Sequence, residues 1–270
     1  MDLQLNGRTV LVTGSSKGIG AGIAGKFALE GAIVIVHGRD RQQADDVADA
    51  IVGRGGRAHV VLGDLTDDDA VRRLLDEASR HAGRIDILVN NAGGSGAVKE
   101  DWSTTKPATW AESYDRNVLA ALRVTNGLLP GMRQAGWGRV INISSLAATM
   151  PPAGGADYAA CKAAINAMTA SLAKAVAAEG ITVNAISPGT IHSATLDRKF
   201  REVAVQRGLE QNAPWAEIER VVLPLFAQVP VGRVGQVEDI ANAAVFLASP
   251  LAGYITGANL RVDGGLSPGF

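Results

Sequence analysis

The stretch Thr9-Val-Leu-Val-Thr-Gly-Ser-Ser-Lys-Gly-Ile-Gly20 lies near the start of the chain and decides its fold. Its first four residues are β-branched or apolar and predict a buried strand, and a helical pattern follows the last glycine. Glycines 14, 18 and 20 lack side chains that would block a dinucleotide, so a pyrophosphate can approach the amides at the helix's positive end. A three-glycine pattern is weak evidence in a chain with 32 glycines, but its place between first strand and first helix predicts a dinucleotide-binding turn.

Similar short strands recur between longer helical patterns along the chain. The seven predicted strands run from Thr9 to Val12, Ile33 to Val36, Ala58 to Leu62, Ile85 to Val89, Arg139 to Ile143, Thr182 to Ile186 and Asn259 to Val262. Continuous apolar character in these runs indicates strands that are covered on both faces. The pattern predicts an α/β protein, a single-domain doubly wound Rossmann fold with a seven-stranded parallel sheet and helices on both faces.

One segment interrupts this alternation within the single domain that we predict for residues 1–270. Residues 192–230 contain no strand pattern, and their apolar residues fall at helical intervals. Asn212, two residues before Pro214, is the predicted start of a helix. Because the segment follows a strand's carboxyl end, we expect either a helical lid over the substrate or a helical pair that packs on the body.

Composition narrows the classes of partner. The net charge is −1 with a pI of about 6.4, and the sequence has neither a basic stripe nor an apolar run long enough for a membrane helix. We therefore expect a small-molecule substrate, with no nucleic acid and no membrane as partner. The single Cys161 and the absence of an export signal favour a cytoplasmic location, and four scattered histidines predict no metal site.

The candidate acid/base groups are Ser145, Tyr158 and Lys162. Tyr158 and Lys162 are four residues apart in an alanine-rich helical pattern, so both are expected on one helix face. An ammonium beside the phenol favours the phenolate and would lower the tyrosine pKa, which makes the tyrosine useful near neutral pH.

The residues after the second predicted strand bear on the choice of nicotinamide cofactor. NAD-binding folds place an acid there for the ribose 2′-hydroxyl, whereas this chain has Gly38 followed by Arg39, with Lys17 in the glycine turn. Two cations and no acid at this position predict NADP(H) in preference to NAD(H). The alternative is that Arg39 is solvated and that Asp40 caps the next helix.

These motifs, in this order, resemble those of the short-chain dehydrogenase/reductase family. The residues that carry the resemblance are the turn Gly14 to Gly20, Asp64-Leu65, Asn90-Asn-Ala-Gly93, Asn117, Ser145, Tyr158 with Lys162, Asn184 with Pro188-Gly189, and Asp263-Gly-Gly265. The resemblance covers nearly the whole chain. It implies an NADP(H)-dependent enzyme that interconverts a ketone and a secondary alcohol.

The resemblance also implies roles for individual residues. Tyr158 would exchange a proton with the carbonyl oxygen, which Ser145 would hold, while Lys162 would lower the tyrosine pKa and bind the nicotinamide ribose. Asn117 would anchor a water next to the lysine, and Asn90 would line the cofactor groove. The expected cofactor-binding residues are Gly14, Ser16, Lys17, Gly18, Ile19, Gly20, Arg39, Asp64, Leu65, Asn91, Ala92, Gly93, Tyr158, Lys162, Pro188, Gly189, Ile191 and Ser193.

Some of these assignments have alternatives. Ser144 could be the active serine in place of Ser145, although the spacing to Tyr158 favours Ser145. Asn117 could be an ordinary helix residue. Ser193 stands where the family usually has a threonine that holds the carboxamide, and serine keeps the hydroxyl.

The closest pattern within the family is that of β-ketoacyl carrier-protein reductases, through Gly180-Ile-Thr-Val-Asn184 and Gly232-Arg-Val-Gly235. Those enzymes place arginines near the pocket mouth to dock the acidic carrier, and Gly136 and Glu179 occupy those positions here. The missing arginines weaken the assignment of a carrier-linked substrate. A free ketone, a ketoester, a sugar or a polycyclic compound is equally compatible with the sequence.

Two other functions compete with a ketone reductase. One is an NAD-dependent polyol or hydroxy-acid dehydrogenase, and the other is a cofactor-binding regulator that kept the fold without the chemistry. The family resemblance further implies a homotetramer or homodimer that pairs the helix around Val118 to Leu129 and the helix after Tyr158 with their copies. Small residues such as Ala159, Ala163 and Ala167 suit that approach.

Overall fold

The structure is a computed structural model that describes residues 2–95 and 101–268. The strands are β1 (Thr9–Val12), β2 (Ile33–Gly38), β3 (Arg57–Leu62), β4 (Ile87–Asn90), β5 (Gly138–Ile143), β6 (Ile181–Pro188) and β7 (Asn259–Val262). The helices are α1 (Gly18–Leu29), α2 (Arg41–Val52), α3 (Asp68–Ala82), α4 (Pro107–Tyr114), α5 (Ala120–Ala135), α6 (Ala156–Val176), α7 (Ala194–Gln206), α8 (Trp215–Phe226) and α9 (Val237–Ala248). All seven predicted strands are present.

The strands form one sheet in the order β3-β2-β1-β4-β5-β6-β7, with every neighbouring pair parallel. The predicted fold class is therefore confirmed. The chain order reverses between β1 and β4, and in doubly wound sheets such a reversal opens a ligand crevice beyond the carboxyl ends of the strands.

The fourth strand begins two residues later than predicted. Asp86 bonds through its backbone amide to Thr9 O, and its carboxylate accepts from Thr9 N and from Arg84. The side chain is thus engaged at the start of β1, and regular pairing begins at Ile87.

Two apolar layers cover the sheet. Phe27 of α1 and Ile240 of α9 pack with sheet residues on one face, and Leu74 of α3 and Val124 of α5 do so on the other. Because helices bury both faces, the central strands β1, β2 and β4 are apolar at most positions instead of alternating.

A polar ladder crosses the second layer near the ends of β4 and β5. Asn90 Nδ2 donates to Thr125 Oγ1 at 3.0 Å and to Asn142 Oδ1 at 2.9 Å, and Asn142 Nδ2 donates to Thr169 Oγ1 at 2.8 Å. All four side chains are buried. The expectation that Asn90 lines the cofactor groove is therefore wrong for its side chain, which joins α5 to α6 through the sheet.

The predicted helical segment consists of α7 and α8, which share a small apolar cluster containing Phe200, Ile218 and Val222. Helix α8 begins at Trp215 with Pro214 as its N-cap residue, and Asn212 makes no cap. The predicted start was wrong because Pro214 disfavours helical geometry at the residue before it and is itself extended, with ψ 144°.

Within the described ranges, none of the helices combines the length and apolar character that crossing a bilayer requires.

Candidate active site

The glycine turn between β1 and α1 is closely approached by the chain after β4. Gly14 has a φ of 63°, and a Cβ there would lie 2.9 Å from Ala92 Cα. A Cβ at Gly20 would lie 2.5 Å from Gly14 O. Both positions therefore require glycine, and α1 begins at Gly18, two residues before the last glycine of the turn, after which the helix was predicted to start.

Side-chain hydrogen bonds join this turn to the segment after β4. Thr13 Oγ1 accepts from the backbone amides of Asn91 and Ala92, each at 3.0 Å. Asn91 Nδ2 donates to Thr13 O and Gly14 O, also at 3.0 Å. Asn91, Ala92 and Gly93 thus lie beside Gly14, where the family resemblance placed them.

His37, at the end of β2, is a site residue that the sequence analysis missed. Its Nδ1 accepts from the Gly14 amide at 2.9 Å, and its Nε2 lies 3.1 Å from Gly63 O. An amide can only donate and a carbonyl can only accept, so the ring is neutral and carries its proton on Nε2. Burial lowers the His37 pKa. In the sequence, histidines are considered only as metal ligands, and the signal for His37 is a histidine directly before the glycine that ends the second strand.

A cavity of about 390 Å³ opens between the ends of β2, β3 and β4. It brings together nine of the predicted cofactor residues, namely Gly14, Ser16, Lys17, Arg39, Asp64, Leu65, Asn91, Ala92 and Gly93, with Gly38 at the position of the missing acid. Arg116 and Ala120 also line it and were not predicted. A concave site at the switch point of a parallel sheet is where such folds hold dinucleotides.

The charged side chains around this cavity differ in how they are bonded: the two carboxylates accept hydrogen bonds, whereas Arg39 is largely exposed. Asp40 accepts from the Gln43 amide at 3.0 Å as the N-cap of α2, so the helix-cap alternative is correct for Asp40. Asp64 accepts from Thr66 N and Thr66 Oγ1, and these bonds hold its pKa below the ordinary value. Arg39 is largely exposed and lies 3.8 Å from Asp64, a pair that contributes little in water. Arg39 and Lys17 are therefore the two cations that line this cavity near the end of β2 and that were predicted to bind the cofactor.

Ser145 and Tyr158 meet at the carboxyl edge of the sheet. Both are half-buried, and the Ser145 hydroxyl lies near enough to the phenol to lower the Tyr158 pKa against the effect of burial. Ser145 follows β5 and its Oγ also accepts from Ala147 N at 3.1 Å. Ser144, by contrast, is buried and donates to Lys162 O at 3.1 Å. The geometry therefore favours Ser145 over Ser144 as the serine beside the tyrosine.

Lys162 lies one turn after Tyr158 on α6, as predicted, but its ammonium points to the sheet. Nζ donates to Ile143 O at 2.8 Å and lies 5.6 Å from the centre of the Tyr158 ring. Burial lowers the Lys162 pKa to about 8. The pKa of Tyr158 is raised by burial, against the effect of the Ser145 hydrogen bond. The Tyr158 pKa therefore shifts upward and not downward as expected, because burial of the phenol outweighs the groups that favour the phenolate.

Asn117 lies in a single π-helical turn, Asp115–Leu119, between α4 and α5. Its Nδ2 donates to Ser113 O at 2.8 Å and Gly94 O at 3.1 Å, and its Oδ1 accepts from Gly94 N at 2.8 Å. The residue is buried. Asn117 therefore lies in a π-turn and not in regular α-helix, and such turns are common at functional sites.

The chain after β6 forms the last part of the site. A Cβ at Gly189 would lie 2.8 Å from Asp263 Cα, which explains the glycine after Pro188. Ile191 forms a bridge with Gly235. Ser193 is the N-cap of α7, and its Oγ accepts from Leu196 N at 3.2 Å. Its hydroxyl hydrogen stays available, because the cap uses only an acceptor lone pair.

Gly136 and Glu179 do not lie at the mouth of this site. Gly136 ends α5 just before β5, and Glu179 precedes β6. Both are at the amino ends of strands that span about 20 Å, whereas Ser145 is beyond the carboxyl end of β5. Glu179 is paired with Arg133 at 2.7 Å. Within a single protomer these two positions therefore do not flank the pocket, contrary to the expectation.

Comparison with known proteins adds to this geometry. A family model described as Enoyl-(Acyl carrier protein) reductase matches residues 14–267. The 3-oxoacyl-(acyl-carrier-protein) reductase FabG of Pseudomonas aeruginosa is 35% identical over 266 residues, which cover 98% of this chain and 99% of that protein. The 3beta-hydroxysteroid dehydrogenase 1 of Eggerthella lenta is 37% identical over 277 residues, covering 98% and 97% of the two chains.

A solved structure is also similar over the full length. The crystal structure of L-sorbose reductase from Gluconobacter frateurii, complexed with NADPH and L-sorbose, superposes with a TM-score of 0.91 at 31% identity. The match covers 100% of each chain.

Proposed function

Because the chain belongs to the short-chain dehydrogenase/reductase family, we propose that it is an NADPH-dependent oxidoreductase that interconverts a ketone and a secondary alcohol. The observation that carries this proposal is the grouping of the Ser145 and Tyr158 hydroxyls with the buried Lys162, whose Nζ lies 5.6 Å from the centre of the Tyr158 ring. Two hydroxyls aimed at one place can hold a carbonyl oxygen, and a cation nearby stabilises the anion left after proton transfer.

The residues divide the work of carbonyl reduction. The nicotinamide of NADPH, when bound, supplies the hydride. Ser145 holds the carbonyl oxygen by donating a hydrogen bond, and Tyr158 gives its hydroxyl proton to that oxygen as negative charge develops. Burial raises the Tyr158 pKa, so the phenol keeps its proton until the oxygen becomes basic. The Lys162 ammonium then favours the phenolate. In alcohol oxidation, Tyr158 takes the proton back.

Asn117 supports this site from the π-turn. Its three hydrogen bonds to Gly94 and Ser113 fix the chain after β4 against the helix that precedes α5. A buried amide with these contacts orients the surrounding backbone, and we propose that Asn117 anchors the water that joins Lys162 to solvent and returns its proton.

The residues present fit a dinucleotide. The glycine turn leaves no room for side chains at Gly14 and Gly20, and the cavity beyond β2 joins this turn to Asp64 and Leu65. Lys17 and Arg39 would hold the 2′-phosphate, since both cations line this cavity and the Arg39 guanidinium is largely exposed. The NADPH in the L-sorbose reductase structure supports the same preference.

The other end of the cofactor would lie along the loop after β6. We propose that Pro188, Gly189 and Ile191 line the nicotinamide and that Ser193 donates its free hydroxyl hydrogen to the carboxamide. Helices α7 and α8 follow directly and would form the lid over the substrate. Leu225 and Phe226 are half-exposed on α8 and are available to an apolar substrate group, whereas Phe200 is buried between the two helices.

A carrier-linked 3-oxoacyl reductase is the second candidate. The similarity to FabG over nearly the whole chain favours it. The absence of arginines at positions 136 and 179, with Glu179 paired to Arg133, argues against the same carrier contact. The 3beta-hydroxysteroid dehydrogenase and L-sorbose reductase relatives support free substrates of very different size.

We also propose an oligomeric state and a cellular location for the protein. A homotetramer or homodimer would use α5 and α6, on which Ala163 and Ala167 are exposed; Ala159 is buried within the chain and is not available to a partner copy. A cytoplasmic location is supported by the single buried free thiol of Cys161.

The proposal is tested by following NADPH oxidation with a panel of carbonyl compounds. The panel contains a ketose, a 3-ketosteroid, a 3-oxoacyl thioester of a small thiol and the same acyl group on a carrier protein. We expect turnover of at least one free carbonyl, with a lower KM for NADPH than for NADH. If the protein binds NADPH tightly but turns over none of these compounds, the result would contradict the proposed oxidoreductase activity and support a cofactor-binding regulator. Turnover of the carrier-bound substrate alone would favour the second candidate.

A further inference from the structure

The imidazole of His37 joins the ends of three strands. It lies at the end of β2, accepts from the Gly14 amide in the turn after β1, and donates to Gly63 O after β3. The ring is buried. Among the side chains that the structure describes, no other forms a hydrogen bond with the Gly14 amide.

The backbone around His37 is fastened to the same turn. His37 N donates to Ser15 Oγ at 2.9 Å, and Ser15 N donates to His37 O at 2.8 Å. Ser15 Oγ in turn donates to Val12 O at 2.6 Å. The position of the turn between Gly14 and Gly20 therefore depends on β2 through both the backbone and the ring of His37.

We propose that His37 is a positioning residue for the cofactor: its neutral ring holds the Gly14 turn in the shape that receives the pyrophosphate, and protonation of the ring releases the turn and weakens NADPH binding. The inference rests on the proposed function. Its chemistry is simple, because protonated Nδ1 is a donor and then faces the Gly14 amide, which is also a donor.

The charged groups around the ring act in opposite directions. From the β3 side, the Asp64 carboxylate favours the protonated ring, and from the β2 side the Arg39 guanidinium disfavours it. The β1 side presents the Gly14 amide and the Ser15 hydroxyl. Burial outweighs these charges and lowers the His37 pKa. The ring is thus neutral at neutral pH, and the cost of charging it appears only on acidification.

The direction of the pH effect follows from proton counting. Because the cofactor-competent turn requires the neutral ring, NADPH binding is undisturbed above the His37 pKa and is lost as pH falls through it. The loss approaches about tenfold in the dissociation constant for each pH unit below that pKa.

The test measures the NADPH dissociation constant of the full chain from about pH 8 to about pH 4.5, roughly two units below the ordinary histidine pKa, in the wild type, His37→Asn and His37→Leu. The substitution His37→Asn keeps an oxygen acceptor near the position of Nδ1 but does not titrate, whereas His37→Leu removes the acceptor. At pH 8 we expect His37→Leu to bind NADPH about tenfold more weakly than wild type, as the loss of two neutral hydrogen bonds implies, with His37→Asn in between. On acidification the wild type loses affinity faster than His37→Asn.

Comparing the variants with the wild type at each pH cancels the effects of other titrating groups on NADPH binding. The 2′-phosphate of NADPH titrates equally in all variants, so the ratio of dissociation constants isolates the ring. His59→Asn is the matched control, since His59 lies on β3 opposite Ile35 and stacks on His81. On acidification, this variant should lose NADPH affinity as the wild type does. The KM for NADPH should rise in His37→Leu more than kcat falls, which a loss of general stability would not produce.

The outcomes separate this inference from the proposed function. Wild type that fails to bind NADPH at pH 8 would overturn both. Wild type that binds NADPH but loses affinity on acidification in parallel with His37→Asn would overturn the role of His37 alone. A steeper loss in the wild type than in His37→Asn would support it, even where His37→Leu does not fold.

Discussion

The ammonium of Lys162 donates a hydrogen bond to the carbonyl oxygen of Ile143, the last residue of β5, over 2.8 Å. A lysine on α6 is thereby anchored to the strand that leads directly into Ser144 and Ser145. The ion is buried, and burial lowers its pKa to about 8. Strand, serine, tyrosine and lysine therefore form one connected unit in which the charge is kept at a cost in stability.

That cost predicts that Lys162→Met stabilises the fold while it impairs catalysis. The Lys162 pKa falls from 10.5 to about 8, which corresponds to about 3 kcal/mol of destabilisation at neutral pH, before the bond to Ile143 O is counted against it. We expect a rise of several degrees in the unfolding midpoint with a strong loss of turnover. Thermal unfolding and NADPH oxidation measure the two effects.

The sign of the pH dependence gives a control on this prediction. Below about pH 8 the folded protein holds a buried cation, and between about 8 and 10.5 it loses the proton while the unfolded chain keeps it. The stability of the wild type therefore rises through this window relative to Lys162→Met. Lys174→Met, an exposed site on the same helix, should change neither stability nor turnover. An equal effect at both lysines would argue against burial as the cause.

The same pKa predicts an alkaline limb in the rate of carbonyl reduction. Burial keeps Tyr158 protonated to high pH, so the first group to lose its proton is Lys162, near pH 8. Neutral lysine no longer stabilises the phenolate, and kcat/KM for the carbonyl substrate should fall as pH rises through about 8. A pH profile that stays flat until the tyrosine itself ionises would show that the lysine charge is not required.

Arg39 is expected to select NADPH over NADH. Removing one charged hydrogen bond to the 2′-phosphate in Arg39→Ala should raise the KM for NADPH by roughly 10- to 100-fold and leave the KM for NADH nearly unchanged. Arg41→Ala is the matched control, because Arg41 pairs with Asp45 on the outer face of α2 and does not line the cavity. If Arg39→Ala weakens both cofactors equally, the arginine does not recognise the phosphate.

The fold was predictable because its signals are local. Each buried strand is a short apolar run, and the glycine turn, Asn91 and Tyr158 follow strand ends at fixed spacings. Parallel strands bring such residues to one edge of the sheet, so motifs far apart in sequence converge without any knowledge of side-chain contacts.

The features that could not be predicted depend on the direction of side chains. Spacing placed Lys162 beside Tyr158, but not its ammonium on Ile143 O, and the expected fall in the tyrosine pKa did not account for burial. Likewise, nothing in the sequence shows that the His37 ring turns toward Gly14 instead of solvent. Neighbouring strands determine these directions.

Asn90 and Asn91 illustrate the same limit over a distance of one residue. Strand β4 ends at Asn90, whose side chain enters the ladder with Asn142, and Asn91 follows in the next segment and bonds the glycine turn. The sequence predicted the motif correctly but could not assign its two amides to their faces without the exact end of β4.

The central claim is that Tyr158 transfers the proton, and its most direct test is the NADPH-driven reduction rate of Tyr158→Phe on whichever carbonyl the wild type reduces. Phenylalanine keeps the ring and removes only the hydroxyl, so we expect NADPH binding to persist and kcat to fall by about 10²- to 10⁴-fold. Tyr254→Phe, at a fully exposed tyrosine, should retain the wild-type rate. A Tyr158→Phe variant with wild-type kcat would contradict the account.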